Sequence, residues 1–172
     1  MAKKIVIFSG KQYSGKDTLA GIMLNLMPEF KRYAMGDVIK DTYAKLHNLT
    51  YEEIEKNKST YRPDLIALGD WGRNQDPDYW LKKIIATDEN IFVTDVRLQH
   101  EYEVFKAAGA ISIRVEAPRE LRATRGQLVS ENDLTETDLD NITDWDYTVA
   151  NDKNLEHLTQ IAQNLATHIS GH

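Results

Sequence analysis

The 172-residue chain contains no cysteine, and that absence excludes disulfides, thiolate metal sites and cysteine nucleophiles together. It also has no long apolar run. The stretch Ile5 to Phe8 near the start is too short for the apolar region of a signal peptide, and no segment approaches the roughly 20 residues a membrane helix needs. An excess of basic residues is missing as well. The formal net charge of −6 argues against nucleic acid as a partner, because duplex binders present a basic face, although a local arginine or lysine pocket can still take a small anion. No internal repeat or low-complexity tract interrupts the chain. Together these absences lead us to expect a cytoplasmic enzyme or binding protein of one domain, long enough to bury roughly 70% of its unfolded surface.

What is present alternates between short β-rich runs and longer helical patterns, as βαβ units around a mainly parallel sheet do. Lys4 to Ser9 is apolar without alternation, the pattern of a strand covered on both faces. A helix with Leu19, Ile22, Met23 and Leu26 at helical spacing follows a glycine loop. Phe30 to Met35 reads as a further strand, and Asp37 to Leu46 and Tyr51 to Lys56 as helices. Pro63 suits the first turn of another helix running to about Trp71, and Asp76-Pro77 opens one through Ala86. Strands are expected at Asn90 to Thr94, Ala110 to Val115 and Tyr147 to Ala150, and helices at Gln99 to Ala108, Pro118 to Arg125 and Asn154 to Ile169. Gly126 to Thr143 is polar and acidic without periodicity. The expected fold is a three-layer α/β/α sandwich on a five-stranded, mostly parallel sheet.

The strongest motif is Gly10-Lys11-Gln12-Tyr13-Ser14-Gly15-Lys16, followed by Asp17-Thr18. Glycines five apart, between a buried strand and an amphipathic helix, let backbone N–H groups wrap around phosphates, and the lysine reaches the β/γ oxygens at the positive end of the helix. Gly10, Lys11, Ser14, Gly15, Lys16, Asp17 and Thr18 are therefore the candidate ATP-binding residues. The usual serine or threonine after the lysine is replaced by Asp17. Its carboxylate could hold Mg²⁺ directly or through water, or could serve only the helix dipole; Thr18 is then the hydroxyl contact to a phosphate.

Asn90 to Asp95 is a hydrophobic strand ending in aspartate, and in a parallel sheet its carboxyl end lies on the ligand-binding side. Asp95 is a second candidate for the metal or its water shell, with helix capping as its other reading, and Arg97 follows it into the same crevice. Of the eight arginines, Arg62, Arg73 and Arg97 fall near element ends, while Arg122 and Arg125 are three apart and share a helix face. Guanidinium groups match phosphate oxygens and can neutralise a moving phosphoryl group. Tyr13, Trp71, Tyr79 and Trp80 are candidates either for stacking on a nucleobase or for core packing. The protein-kinase H-R-D signature is lacking, as are the D-x-x-G and N-K-x-D elements of a guanine-nucleotide switch.

These motifs resemble those of deoxynucleoside monophosphate kinases: Phe8 through Thr18, Tyr33-Ala34-Met35 with Asp37 and Lys40, Leu68 to Arg73 leading to Pro77 and Trp80, Asp95-Val96-Arg97 with His100-Glu101, and Ser130-Glu131 with Asn151-Asp152. The chain is also similar to P-loop phosphomevalonate kinases, through Gly15-Lys16-Asp17, Ser59-Thr60-Tyr61, Arg73 with Asp76-Pro77, Arg122 with Arg125-Gly126, and Leu139-Asp140-Asn141. Both resemblances carry Asp17 and both imply MgATP and a phosphorylated acceptor, so they fix the reaction type better than the acceptor. They imply that Lys16 binds ATP phosphates, that Asp17 and Asp95 lie near Mg²⁺, and that Lys40, Arg62, Arg73 and Arg97 surround the acceptor phosphate in a helical segment of about 36–86 and the adjoining strand end. Lys16, Asp95, Arg122 and Arg125 would be the catalytic set, the two arginines within a lid of about 118–133. The partners expected are ATP and a small phosphorylated substrate, without nucleic acid or membrane, on a monomer or homodimer.

Overall fold

The protein is described by a computed structural model covering residues 3–171. Its elements follow in the order β1 (Ile5–Gly10), α1 (Lys16–Leu26), β2 (Phe30–Arg32), α2 (Met35–His47), α3 (Tyr51–Lys56), α4 (Lys58–Gln75) and α5 (Tyr79–Ile85). Then come β3 (Asn90–Val93), α6 (Gln99–Ala107), β4 (Ile111–Glu116), α7 (Arg119–Arg125), α8 (Leu134–Thr137), β5 (Tyr147–Ala150) and α9 (Leu155–Ser170). The chain divides into two compact units, Tyr33–Asp88 and the remainder on either side of it.

The larger unit contains the sheet, in the order β2-β3-β1-β4-β5 with every pairing parallel. Alternation along each strand gives the layers. Val6, Phe8, Phe92, Ile113, Val115 and Val149 join one core with Leu19 and Met23 of α1 and Leu158, Ala162 and Ile169 of α9. Phe92 anchors it, its ring centroid 5.0 Å from Phe8 and 4.9 Å from Phe30. The alternate residues of β4, Ser112 and Arg114, face the other way. There Asp146 Oδ2 accepts from Ser112 Oγ at 3.2 Å and from Lys106 Nζ of α6 at 2.7 Å, which places α6 on the second face. The result is an α/β/α sandwich on a five-stranded parallel sheet.

The smaller unit is helical. Tyr43, Ala44 and Ile54 form its core with Leu49, Tyr61, Leu65 and Leu68 around them. Trp80 is buried and donates its indole N–H to the Gly69 carbonyl at 3.0 Å. Gly72 permits this approach, since a Cβ there would lie 2.6 Å from the Trp80 ring.

Several boundaries depart from the sequence expectation for identifiable reasons. Pro63 lies well inside α4 rather than in its first turn. Asn57 starts that helix earlier, its carbonyl accepting from the Thr60 N–H at 3.0 Å, and Pro63 simply leaves the Ser59 carbonyl without a helical donor. Met35 belongs to α2, because Asp37 Oδ2 accepts from the Ala34 N–H at 2.9 Å and caps the helix there, ending β2 at Arg32. Leu26, expected on the buried face of α1, is 44% exposed, while Met27 just beyond the helix is buried instead. The acidic stretch contains one short helix, α8. Among the described residues no helix is long and apolar enough to cross a membrane.

Candidate functional site

The glycine loop lies between β1 and α1, where a buried strand delivers the chain to a helix N-terminus. Gly15 caps α1 with φ 97°, a left-handed conformation that glycine tolerates, and a Cβ there would fall 2.0 Å from Asn151 Nδ2. Gly10 is equally confined, since its Cβ would meet Ser14 Oγ at 2.4 Å and the Val115 carbonyl at 2.8 Å.

The loop carbonyls are held from outside. Arg122 Nη1 donates to the Gln12 carbonyl at 3.3 Å, Arg125 Nη1 donates to those of Tyr13 at 2.9 Å and Ser14 at 3.3 Å, and Asn151 Nδ2 donates to Ser14 at 2.8 Å. Arg125 Nη2 also donates to the Asn151 carbonyl at 2.8 Å, closing the brace. A trans peptide points its N–H opposite to its C=O, so these bonds turn the N–H groups of Tyr13 and Gly15 away from the brace. The arrangement suits a cradle for anions. A cavity of about 340 Å³ is lined by Gly10 through Thr18 together with Arg97, Thr135 and Glu136.

Lys16 donates its ammonium to the Thr94 carbonyl at the end of β3. Burial pushes its pKa below the ordinary lysine range; Asp17 and Asp95 oppose that shift, whereas Arg97 and Arg32 add to it. An arriving polyanion would restore the charged form. Nucleotide affinity should therefore fall as pH rises through the lowered Lys16 pKa, at a lower pH than an ordinary lysine would give. A pH series of binding measurements tests this, and an affinity flat up to the usual lysine range would contradict it.

Asp17 sits in the first turn of α1, where Arg32 Nη2 donates to its Oδ1 at 3.3 Å. Arg32 Nε also donates to Thr94 Oγ1 at 3.2 Å, so this side chain links the ends of β2 and β3 to the loop. Among the described residues no group of three or more His, Cys, Asp or Glu could hold a metal ion. Asp17 and Asp95 both lie near enough to Lys16 to act on its charge, and such a pair would suit Mg²⁺ held by one or two carboxylates with phosphates and water completing its octahedron. Glu101 is accounted for otherwise: its Oε1 accepts the N–H groups of Arg97 and Leu98, each at 3.0 Å, and caps α6.

A further cavity of the same unit, about 500 Å³, lies beside the loop and includes Lys11, Arg114, Arg122, Asp140 and Trp145 in its wall. Arg114 is only 7% exposed; it donates to Ser9 Oγ at 2.7 Å and lies 5.8 Å above the centre of the Trp145 ring.

The helical unit brings together Lys40, Arg62 and Arg73, all lining a cavity of about 270 Å³ with Gly36, Ile39, Leu65, Ile66 and Gly69. Two of the three are already ion-paired, Lys40 with Glu55 and Arg73 with Asp70 at 2.8 Å. The fourth residue of the expected acceptor set, Arg97, lines the loop cavity of the other unit. None of the candidate stacking aromatics lines the cavity of the helical unit. Trp71, Tyr79 and Trp80 pack edge to face on one another, with centroids 5.4 Å and 4.8 Å apart. Tyr13 instead covers Gly126.

Arg32, Arg114, Asn151 and Glu136 escaped the sequence reading as site residues. The first two belonged to the arginine count, but only strand adjacency in the sheet brings them beside the loop and its flanking residues. Asn151-Asp152 carried a resemblance without a role.

Two family models match the chain: phosphomevalonate kinase over residues 8–110 and deoxynucleotide monophosphate kinase over residues 64–161. An uncharacterized protein of Ictalurid herpesvirus 1 (strain Auburn) is 28% identical over 80% of this chain, which spans 59% of that protein's length. Solved structures share the fold. A shikimate kinase from Bacteroides thetaiotaomicron superposes with a TM-score of 0.56 at 12% identity, covering 97% of this chain and 98% of that one. A shikimate kinase from Acinetobacter baumannii in complex with shikimate gives 0.54 at 16% identity, covering 99% and 94%. The APS kinase of Mycobacterium tuberculosis gives 0.50 at 14% identity, covering 98% of both chains. With the glycine loop on β1, and with each family model matching more than half its length, the chain belongs to the phosphomevalonate kinase and deoxynucleotide monophosphate kinase families.

Proposed function

We propose that the protein transfers the γ-phosphoryl group of ATP to a phosphate group on a small molecule, and that the acceptor is a (deoxy)nucleoside monophosphate. The observation that carries the transfer is the braced loop with Lys16 and Arg97 around one cavity. Its backbone N–H groups and Lys16 hold the β- and γ-phosphates, and Arg97 offsets charge on the group in transit. Mg²⁺ bound with ATP, near Asp17 and Asp95, supplies further neutralisation of the phosphate charge. Arg122 and Arg125 act by fixing the loop's carbonyls, which keeps its donors preorganised.

A phosphate acceptor needs no general base from the protein. The second pKa of a phosphate monoester is about 6, so the attacking oxygen is already anionic at neutral pH. Holding that dianion is the role we assign to Lys40, Arg62 and Arg73 in the helical unit. Arg73, Asp95 and Arg97 lie in both family matches, but only the deoxynucleotide monophosphate kinase match extends over all of α7, which supports the nucleotide reading.

A second acceptor, phosphomevalonate, is favoured by two observations. The match to phosphomevalonate kinase takes in the whole of Tyr33–Asp88, and the cavity there is walled by Ile39, Leu65 and Ile66 without an aromatic ring. The experiment is acceptor-dependent ADP release from MgATP with a panel of nucleoside and deoxynucleoside monophosphates and phosphomevalonate. Acceleration by a nucleotide is the expected result; acceleration by phosphomevalonate alone would replace the first acceptor with the second. In the same assay Arg73→Ala should raise the acceptor KM by at least about tenfold, the effect of losing a charge-assisted hydrogen bond, with a smaller change in kcat. Unchanged acceptor kinetics would remove Arg73 from the site.

A further inference from the structure

The loop already holds an anion of the chain's own. Glu136 Oε2 accepts the backbone N–H of Gln12 at 3.3 Å, and Thr135 and Glu136 form part of the wall of the loop cavity. Lys11 Nζ donates to the Glu136 carbonyl at 2.8 Å and pairs with Asp140 at 2.9 Å. The Gln12 side chain closes a reciprocal pair with Val129, donating to its carbonyl at 2.5 Å and accepting its N–H at 3.1 Å. The segment from 126 to 140 has five acidic residues and no basic one, and it is tied down along its length. Glu131 accepts two bonds from Arg119, at 2.8 and 2.9 Å, and Asp138 Oδ2 accepts the Gln99 N–H at 2.7 Å. Ser130 adopts φ 50°, a left-handed conformation unfavourable for a non-glycine residue, which these contacts sustain.

We propose that residues 126–140 form an autoinhibitory strap, in which the Glu136 carboxylate occupies the place of a phosphate oxygen at the Gln12 N–H. Carboxylate and phosphate oxygens are both anionic acceptors, and one amide proton cannot serve both fully. Like charge in one cavity also sets them against each other. Nucleotide binds after the strap leaves, and its apparent affinity is reduced by the fraction of molecules in which the loop is open. The proposal rests on the reading of the loop as a nucleotide site.

Titration calorimetry with MgATP on the wild type, Glu136→Gln and Asp140→Asn tests it, with thermal unfolding as the check on folding. Both variants remove a charge from the strap and leave the loop sequence unaltered, so each should bind MgATP about tenfold more tightly than the wild type. Hydrogen exchange adds an independent readout: MgATP should speed exchange across 126–140 in the wild type. Equal or weaker MgATP affinity in folded variants, with the wild type binding normally, overturns the strap and leaves the nucleotide site standing. Absence of binding in all three proteins overturns the nucleotide reading and the strap with it.

Discussion

Lys16→Ala should lower acceptor-dependent ADP formation by about 10²–10³-fold, the loss associated with removing one preorganised donor from developing transition-state charge. The fold should persist, because the side chain contributes one hydrogen bond, to the Thr94 carbonyl, and belongs to neither hydrophobic core. Lys16 is a costly residue for the free protein. It is held partly buried among Asp17, Asp95, Arg97 and Arg32, with its pKa pushed down by that burial. Such an arrangement is understandable where the ammonium meets a polyanion. Steady-state kinetics beside circular dichroism would check the expectation, and a folded variant of undiminished turnover would remove Lys16 from the chemistry.

Gly15→Ala should abolish nucleotide binding with comparable severity through geometry alone. An alanine at φ 97° carries about 1–2 kcal/mol of left-handed strain, and its methyl group would need the space held by Asn151 Nδ2, 2.0 Å away. Displacing Asn151 breaks its bond to the Ser14 carbonyl and disturbs the partner of Arg125 Nη2. The effects reinforce one another because one residue joins the loop to the end of β5. A lower melting temperature and no detectable calorimetric signal with MgATP are expected; near-normal affinity would show that the brace does not set the loop's conformation.

The parts of this site that could be read from sequence are local. The glycine spacing from Gly10 to Gly15 is confined to one strand–loop–helix unit, and β5 and α3 were bounded correctly because apolar pattern and flanking polar residues agree there. Pro63 misled because its favourable place at a helix start outweighed the weaker signal at Asn57, whose carbonyl opens α4 five residues earlier. The brace was not legible for a different reason. Arg125, Asn151 and Ser14 meet because β1, β4 and β5 lie side by side in parallel, a long-range relation that periodicity does not encode. The same holds for Arg32, brought to Asp17 and Thr94 by the pairing of β2 with β3. For Arg122 and Arg125 the sequence offers a shared helix face and a resemblance to a lid; the structure adds the contacts of their guanidinium groups with the loop's carbonyls, which depend on the same strand adjacency.

ADP release followed with MgATP alone, and then with each phosphorylated acceptor in turn, bears most directly on phosphoryl transfer to a phosphate group. Slow release without acceptor, strong acceleration by one acceptor class, and loss of that acceleration in Lys16→Ala are expected. ADP release that no phosphorylated acceptor changes would contradict it.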